Sequence, residues 1–229
     1  MTAAVRIVGA VLARWPFALA VLPAAQAQAR THDNGDGWSS GDVVVRGAVA
    51  VIKFDESSEV AFGGTPVTGA AVAVSNSTTL SAEAEFFIKP WASVAVTAGL
   101  PPAAKLTAMG TLANAGQIGA VRYGTISAFA RFHLQPSKRL SPFAGLGVAH
   151  FFPIRVTDGA VSNLAVKADT AVALQAGFDL RVTKSAGLFA SATWTPLRTR
   201  ARGAFGPIPV EAGIRLNPVI VQAGIAFRF

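Results

Sequence analysis

The chain holds no cysteine among its 229 residues, which excludes a disulfide framework and any thiolate metal site. Charge is scarce, at 14% of the residues. Past residue 29 no apolar run is long enough to cross a bilayer as a helix. Signatures of other chemistries are missing as well. There is no phosphate-binding loop, and "GLGVAH" lacks the last glycine of a dinucleotide fingerprint. "DNGDG" at 33–37 begins like a calcium loop, but Val44 stands where the closing glutamate belongs. The histidines are His32, His133 and His150. Neither of the last two is followed by a serine two positions on, and the sequence places no acid to orient either as a hydrolytic triad requires. These absences predict a protein that is not an enzyme and has no cofactor and no metal site.

What is present is apolar. Hydrophobic residues make up 52% of the chain, and mean hydropathy is +0.46. Without a spanning helix, that composition fits membrane strands, whose apolar residues are diluted by alternation. Residues 1–29 read as a cleaved secretory signal: Arg6 and Arg14, the short apolar "WPFALAVL", then "AAQAQA" with small-x-small sites after Ala27 or Ala29. A membrane anchor fits less well, since Arg14 and Pro16 interrupt the apolar stretch. Loss of Arg6 and Arg14 takes the formal net charge from +8 to +6. The remaining Lys and Arg are scattered and not interleaved with aromatics on one element, so no nucleic acid is expected. Anionic lipid phosphate is the more natural partner. Residues 30–41, rich in Gly and Asp, are expected to form a flexible periplasmic tail ahead of a barrel at 42–229.

From residue 42 the chain alternates. Val43, Val45, Gly47, Val49 and Val51 share one face, opposite Val44, Arg46, Ala48, Ala50 and Ile52. The same grammar recurs in "TTLSAEAEFFI", "SVAVTAGL", "GTISAFARFHL", "FAGLGVAHF", "TAVALQAGFDLRV", "GLFASATW" and "VIVQAGIAFRF". That makes eight strands, each with one apolar face. Tight turns at 89–91, 135–139 and 183–186 alternate with long connections near 53–77, 101–119, 153–168 and 199–210. This predicts an all-β fold, an eight-stranded antiparallel transmembrane β-barrel with its turns in the periplasm. A soluble barrel would carry many charges on its other face, whereas here that face is mostly Ala, Gly, Ser and Thr. Closure pairs the last strand with the first. Phe227 and Phe229 then face lipid at the periplasmic interface.

Five stretches, "GDVVVRGAVAV", "VSNSTTLSAEAEFFIKPWASVAVTAGLPP", "SPFAGLGVAHFF", "ALQAGFDLRV" and "LNPVIVQAGIAFRF", resemble the OmpW family in order and spacing. The resemblance covers nearly all of the mature chain. It implies a small eight-stranded barrel of the Gram-negative outer membrane with an apolar interior, associated with uptake of small hydrophobic molecules. Lumen-narrowing bulky residues of some relatives align near Thr97 and Thr170. The terminal aromatics, Phe227 and Phe229, look like the signal read by the outer-membrane assembly machinery.

Counting inward positions up from the turns places Arg46, Glu83, Glu85, Arg131 and Asp179 at similar depth, with Arg181 and Arg228 lower. Buried charges must pair, so these residues are expected to form a polar plug. Above it Ala48, Ala50, Thr97, Gly145, Gly147, Ala149, Ala171, Leu216 and Ile220 are small or apolar, and Phe129 and Phe151 add aromatic surface. They are the candidate lining of a funnel for an apolar guest. Pro101, Pro102, Pro196 and Pro218 each remove a ladder hydrogen bond near the outer rim, where lateral exit into the membrane is expected. Outer-loop cations, above all "RTRAR" at 198–202, could meet lipopolysaccharide phosphates. The function expected is an outer-membrane channel for small hydrophobic solutes. The competing class is a structural or surface-interaction barrel with a solid core and partner-binding loops.

Overall fold

The computed structural model describes residues 37–229; the expected signal segment and residues 30–36 lie outside the described residues. In chain order the strands are β1 (Val43–Lys53), β2 (Ser57–Phe62), β3 (Thr65–Pro66), β4 (Ala70–Val74) and β5 (Ser77–Lys89). There follow β6 (Ala92–Gly99), β7 (Ala103–Gly110), β8 (Gln117–His133), β9 (Leu140–Asp158) and β10 (Ser162–Val166). The last are β11 (Asp169–Arg181), β12 (Ala186–Trp194), β13 (Arg198–Phe205), β14 (Ile208–Arg215) and β15 (Val219–Arg228).

Eight of these close a ring in the order β8-β6-β5-β1-β15-β12-β11-β9, with β8 pairing β9. They coincide with the eight alternating segments. Every neighbour is antiparallel, and the period of two sets inside against outside. On β1, Val44, Arg46, Ala48, Ala50 and Ile52 are buried while Val43, Val45, Val49 and Val51 are exposed. The first and last strands join in register, Val45 opposite Phe227 and Ala48 opposite Gly224. The final residue is held as well, since the Phe229 amide donates to the Val43 carbonyl at 2.8 Å. At this seam Gly224 is required by close approach: a Cβ there would lie 1.9 Å from the Gly47 carbonyl oxygen.

The long connections depart from expectation. They are strands, not open loops. A spanning strand needs only about 9–11 tilted residues, yet β8 has 17 and β9 has 19, so both run on past the membrane. There β4 and β7 extend the ring sheet beside β8, and β10, β13, β14, β2 and β3 form a second sheet. The sequence carried the signal: along "RTRARGAF" Thr199 and Ala201 are buried while Arg198, Arg200 and Arg202 are exposed. The arginines disguised an alternation that continues in register. Where β9 leaves the membrane band its pairing with β8 slips. Arg122 faces Arg155 but Tyr123 faces Pro153, so Ile154 bulges outward.

The expected rim prolines lie in breaks of the ladder. Pro101 and Pro102 separate β6 from β7, and there Thr79 Oγ1 donates to the Leu100 carbonyl at 2.6 Å and Ser77 Oγ to that of Ala103 at 3.3 Å. Pro196 and Pro218 precede β13 and β15, flanked by backbone bonds from Thr195 to Pro218 and from Leu216 to Leu197.

Residues 37–41 also differ from the flexible tail expected. Trp38 is 5% exposed and stacks on Phe87 with centroids 4.7 Å apart. Its amide donates to the Pro136 carbonyl at 2.9 Å and that of Gly41 to Phe87 at 2.8 Å. A tryptophan that can bury its indole against an aromatic floor repays the ordering of a short strap.

Candidate functional site

Inward parity delivers the charged side chains to one layer, and the ring closes it. Arg46 sits directly opposite Glu83 across the β1–β5 ladder. Its guanidinium also reaches across the lumen to β11, which lies three places round the ring. There Nη2 and Nε meet Asp179 Oδ1 at 2.9 and 3.2 Å. Nη1 meets Glu83 Oε1 at 3.0 Å and donates to Glu85 Oε2. From β8, Arg131 forks onto Glu83, with Nη1 and Nη2 each 2.6 Å from one oxygen. All five side chains are buried. Buried charges cost several kcal/mol apiece when unpaired, so this cross-lumen pairing is what lets them exist.

Uncharged partners complete the layer. Thr97 Oγ1 donates to Glu83 Oε2 at 2.7 Å, and Arg131 Nε donates to Gln175 Oε1 at 2.8 Å. Gln175 Nε2 donates to Thr193 Oγ1, and Gln222 bridges Ser81 and Ser191, each bond at 3.1 Å. Arg131 Cζ lies 4.7 Å from the Phe143 ring centroid and Arg46 Cζ 5.4 Å from that of Phe189, within cation–π range. Beneath the layer, the guanidiniums of Arg181 and Arg228 lie over Trp38, at 5.3 and 6.0 Å. Arg228 also pairs with Asp42 at 3.0 Å.

The sequence left His133 without an orienting acid, and the tertiary structure supplies two. Its Nε2 is 3.1 Å from Glu85 Oε1 and 3.0 Å from Ser93 Oγ, while Nδ1 is 3.9 Å from Asp179 Oδ2. Serine, histidine and aspartate thus converge although none is near another in the chain. The geometry is not that of an activated nucleophile. Ser93 Oγ donates to Glu85, the Asp179 oxygen lies beyond hydrogen-bond reach, and Phe87 and Phe143 rings wall the imidazole.

Above the layer the interior turns apolar. A buried cluster runs from Ile52 and Phe151 through Leu106, Val121 and Tyr123 to Val60, Leu164 and Val210. It holds a cavity of about 120 Å³ walled by Val72, Leu106, Val161, Leu164 and Val210, and a smaller one of about 30 Å³ below it. Phe54, Tyr123 and Phe151 gather at the smaller cavity, with centroids 6.3 and 5.3 Å apart in sequence. A wider recess of about 500 Å³ opens beside the upper cavity and shares Val60, Ala201 and Ala212 with it. It adjoins the meeting of β2 and β4, where side chains do the bonding: Ser58 Oγ accepts from the Val72 amide at 2.7 Å and Glu56 from that of Val74 at 3.2 Å.

The candidate lining residues are therefore distributed. Phe151 and Leu216 line the small cavity. Ala48, Ala50 and Phe129 are buried lower down, and Ala149, Ala171 and Ile220 are half-buried. Thr97 belongs to the charged layer. So does Gly145, whose Cβ would meet the Arg131 stem at 3.2 Å and Gln175 at 3.6 Å. Gly147 admits the Phe129 ring, because a Cβ there would sit 2.6 Å from Phe129 Cδ1 and 2.1 Å from the Ala128 oxygen. Enlarging either glycine would displace the wall instead of filling a cavity. Thr170 is exposed and bonds His150 at 2.7 Å, so it does not narrow the lumen. Sequence reasoning missed Phe54, Tyr123 and Trp38. Tyr123 shares the inward parity of Thr125 and Ser127, but the alternation read from "GTISAFARFHL" begins at Gly124, whereas β8 begins at Gln117.

Set against known proteins, the chain is 28% identical over 194 residues to the outer membrane protein AlkL of Ectopseudomonas oleovorans, covering 84% of each chain. It is 25% identical over 178 residues to the dibenzothiophene metabolism operon protein PahQ of Pseudomonas aeruginosa, covering 78% of this chain and 84% of that one. The structure of AlkL in DMPC bilayers superposes with a TM-score of 0.66 at 27% identity, over 87% of this chain and 95% of that one. The crystal structure of OprG from Pseudomonas aeruginosa has the same fold, with a TM-score of 0.81 at 18% identity over 86% and 99% of the two chains. The sequence pattern of the OmpW family matches residues 39–229. A closed eight-stranded barrel with lipid-facing valines and leucines, matched to that family over residues 39–229, belongs to the OmpW family and resides in the Gram-negative outer membrane.

Proposed function

We propose that the protein admits small hydrophobic solutes from outside and releases them sideways, above the charged layer, into the outer membrane. The observation that carries this reading is the abrupt change of lumen chemistry within one barrel. An apolar solute gains by leaving water for the cavities between Val72, Leu106 and Leu164, at roughly 25 cal/mol per Å² of surface buried. It then meets Phe54, Tyr123 and Phe151, which must turn aside for it to pass, and descends toward Phe129, Ala48 and Ala50. Below these it would have to part Arg131 from Glu83 and Arg46 from Asp179. An apolar molecule cannot replace those bonds, so the layer acts as a plug.

Lateral exit needs a weak place in the wall. The proline breaks provide candidates, because on the β5 side the Leu100 and Ala103 carbonyls flanking Pro101–Pro102 are met by the Thr79 and Ser77 hydroxyls, bonds easier to exchange than a backbone ladder. The PahQ relative belongs to an operon for metabolism of dibenzothiophene, an apolar aromatic solute, which supports the solute class. Phe227 and Phe229, 46% and 72% exposed on the closing strand, are proposed to serve as the assembly signal.

Solute flux into phosphatidylcholine vesicles holding the refolded protein tests the reading. An apolar solute is expected to cross faster than into protein-free vesicles, and a sugar of similar size not to. Sugar flux would mean that the charged layer is open. No flux of either would favour a surface-interaction barrel.

A further inference from the structure

Two pairs of arginines on the outer wall stand in an arrangement that is unfavourable as it is. Arg122 on β8 lies directly opposite Arg155 on β9, and Arg198 on β13 directly opposite Arg215 on β14. All four are exposed. Residues facing each other across antiparallel strands have Cβ atoms only about 5 Å apart, and like charges there repel. Among the described residues no carboxylate meets any of the four guanidiniums within ion-pair distance. Asp169 approaches Arg198, but it accepts from the backbone amide, at 3.0 Å. The contrast lies on the same strand: Arg202 faces Glu211 and pairs with it at 3.2 Å.

Their height is as telling as their charge. On the outer face of β8, Ile126 (48% exposed) is four residues below Arg122; on β12 and β13, Trp194 (44% exposed) is four residues before Arg198. Along β8 four strand residues span about 13 Å; Trp194 and Arg198 instead end and begin successive strands joined by residues 195–197. Val219 stands in the same relation to Arg215. Each arginine pair therefore sits just above a lipid-facing apolar band, where acyl chains end and head groups begin.

We propose that each pair binds a phosphate group of a phosphorylated glycolipid of the outer leaflet, with the acyl chains of that lipid lying on the apolar band beneath. Two guanidiniums forking onto one phosphate convert a repulsive pair into several charge-assisted hydrogen bonds. Free phosphate would use the same bonds but would gain nothing from Ile126, Trp194 or Val219. The site rests on the outer-membrane assignment and is independent of solute transport.

The test is titration of bisphosphorylated lipid A into phosphatidylcholine nanodiscs holding the signal-cleaved protein, with bound lipid counted by mass spectrometry. R122Q/R155Q and R198Q/R215Q should each weaken binding about tenfold, since charge-assisted bonds are lost. K167Q/R202Q removes the same charge elsewhere on the outer strands and should change binding less than twofold. Equal binding of dephosphorylated lipid A, an equal loss in K167Q/R202Q, or full competition by millimolar inorganic phosphate would each overturn the proposal. A second readout does not depend on affinity. In phosphatidylcholine alone the double variants should unfold at the same urea concentration as the parent or a higher one, and with lipid A at a lower one; no such reversal would also overturn it. Flux of an apolar solute in phosphatidylcholine should stay unchanged in both variants, so loss of the lipid site and loss of the channel are separately visible.

Discussion

The strands β1 and β5 carry opposite chemistries at their two ends. Low in the barrel they present Arg46, Glu83 and Glu85 to the lumen; high up they present Ile52, Ser77 and Thr79. The lower lumen is held by directional bonds, in which every guanidinium nitrogen of Arg46 and Arg131 has a designated oxygen. The upper lumen is held by apolar contacts that tolerate gaps, and gaps of about 120 and 30 Å³ are present. A polar layer with a missing partner is worse than no layer, whereas an apolar region can lose or gain a guest at small cost. One end of the same tube is thereby suited to closure and the other to occupancy.

The comparison is broken most severely at Arg46. Replacement by Leu strands Glu83, Glu85 and Asp179 around one remaining guanidinium, and should cost on the order of 3–5 kcal/mol in urea unfolding of the protein in vesicles. Arg46→Lys should recover part of that, since charge returns but the fork does not. A neutral outcome for Arg46→Leu would mean that water fills the lower lumen. Next comes Trp38→Ala. Burial of a large aromatic is worth about 3 kcal/mol, but the strap can undock without opening the ring. The expected result is rapid protease cleavage near residues 37–42 with the barrel intact, and resistance equal to the parent would count against a docked strap.

Thr97→Val moves the polar boundary down by one side chain. It removes one donor from Glu83 and should cost about 1 kcal/mol, read from the unfolding midpoint. A larger loss would place Thr97 at the centre of the layer. The smallest effect on stability is expected in the upper half. Ala212→Phe points a ring into the cavity of about 120 Å³, so its change in stability should be about 1 kcal/mol or less. Its effect on flux should be large: apolar solute uptake falls while folding is kept. Unaltered uptake would mean that the cavity is not on the route.

Much of this was legible in the chain. The eight ring strands and their inner faces follow from a period of two, and the charged layer follows from counting up from the turns. The extracellular strands were harder, because "RTRAR" reads as a basic loop until its alternation is seen to continue beyond the membrane. Gly145 and Gly147 were misplaced for a different reason. Small residues in a lumen suggest empty space, but here Arg131 and the Phe129 ring occupy it. Space belongs to neighbours, and neighbours across a barrel are distant in sequence.

By itself, the sequence determined parity, the number of ring strands and the identity of the buried charges, because each is a local consequence of residue type and spacing. Tertiary structure decided which of those charges meet. Arg46 reaches Asp179 from 133 positions away, His133 lands beside Ser93 and Glu85, and Arg122 is set against Arg155 across a bulge. Those meetings depend on tilt, register and ring closure. A single strand carries no record of what will face it.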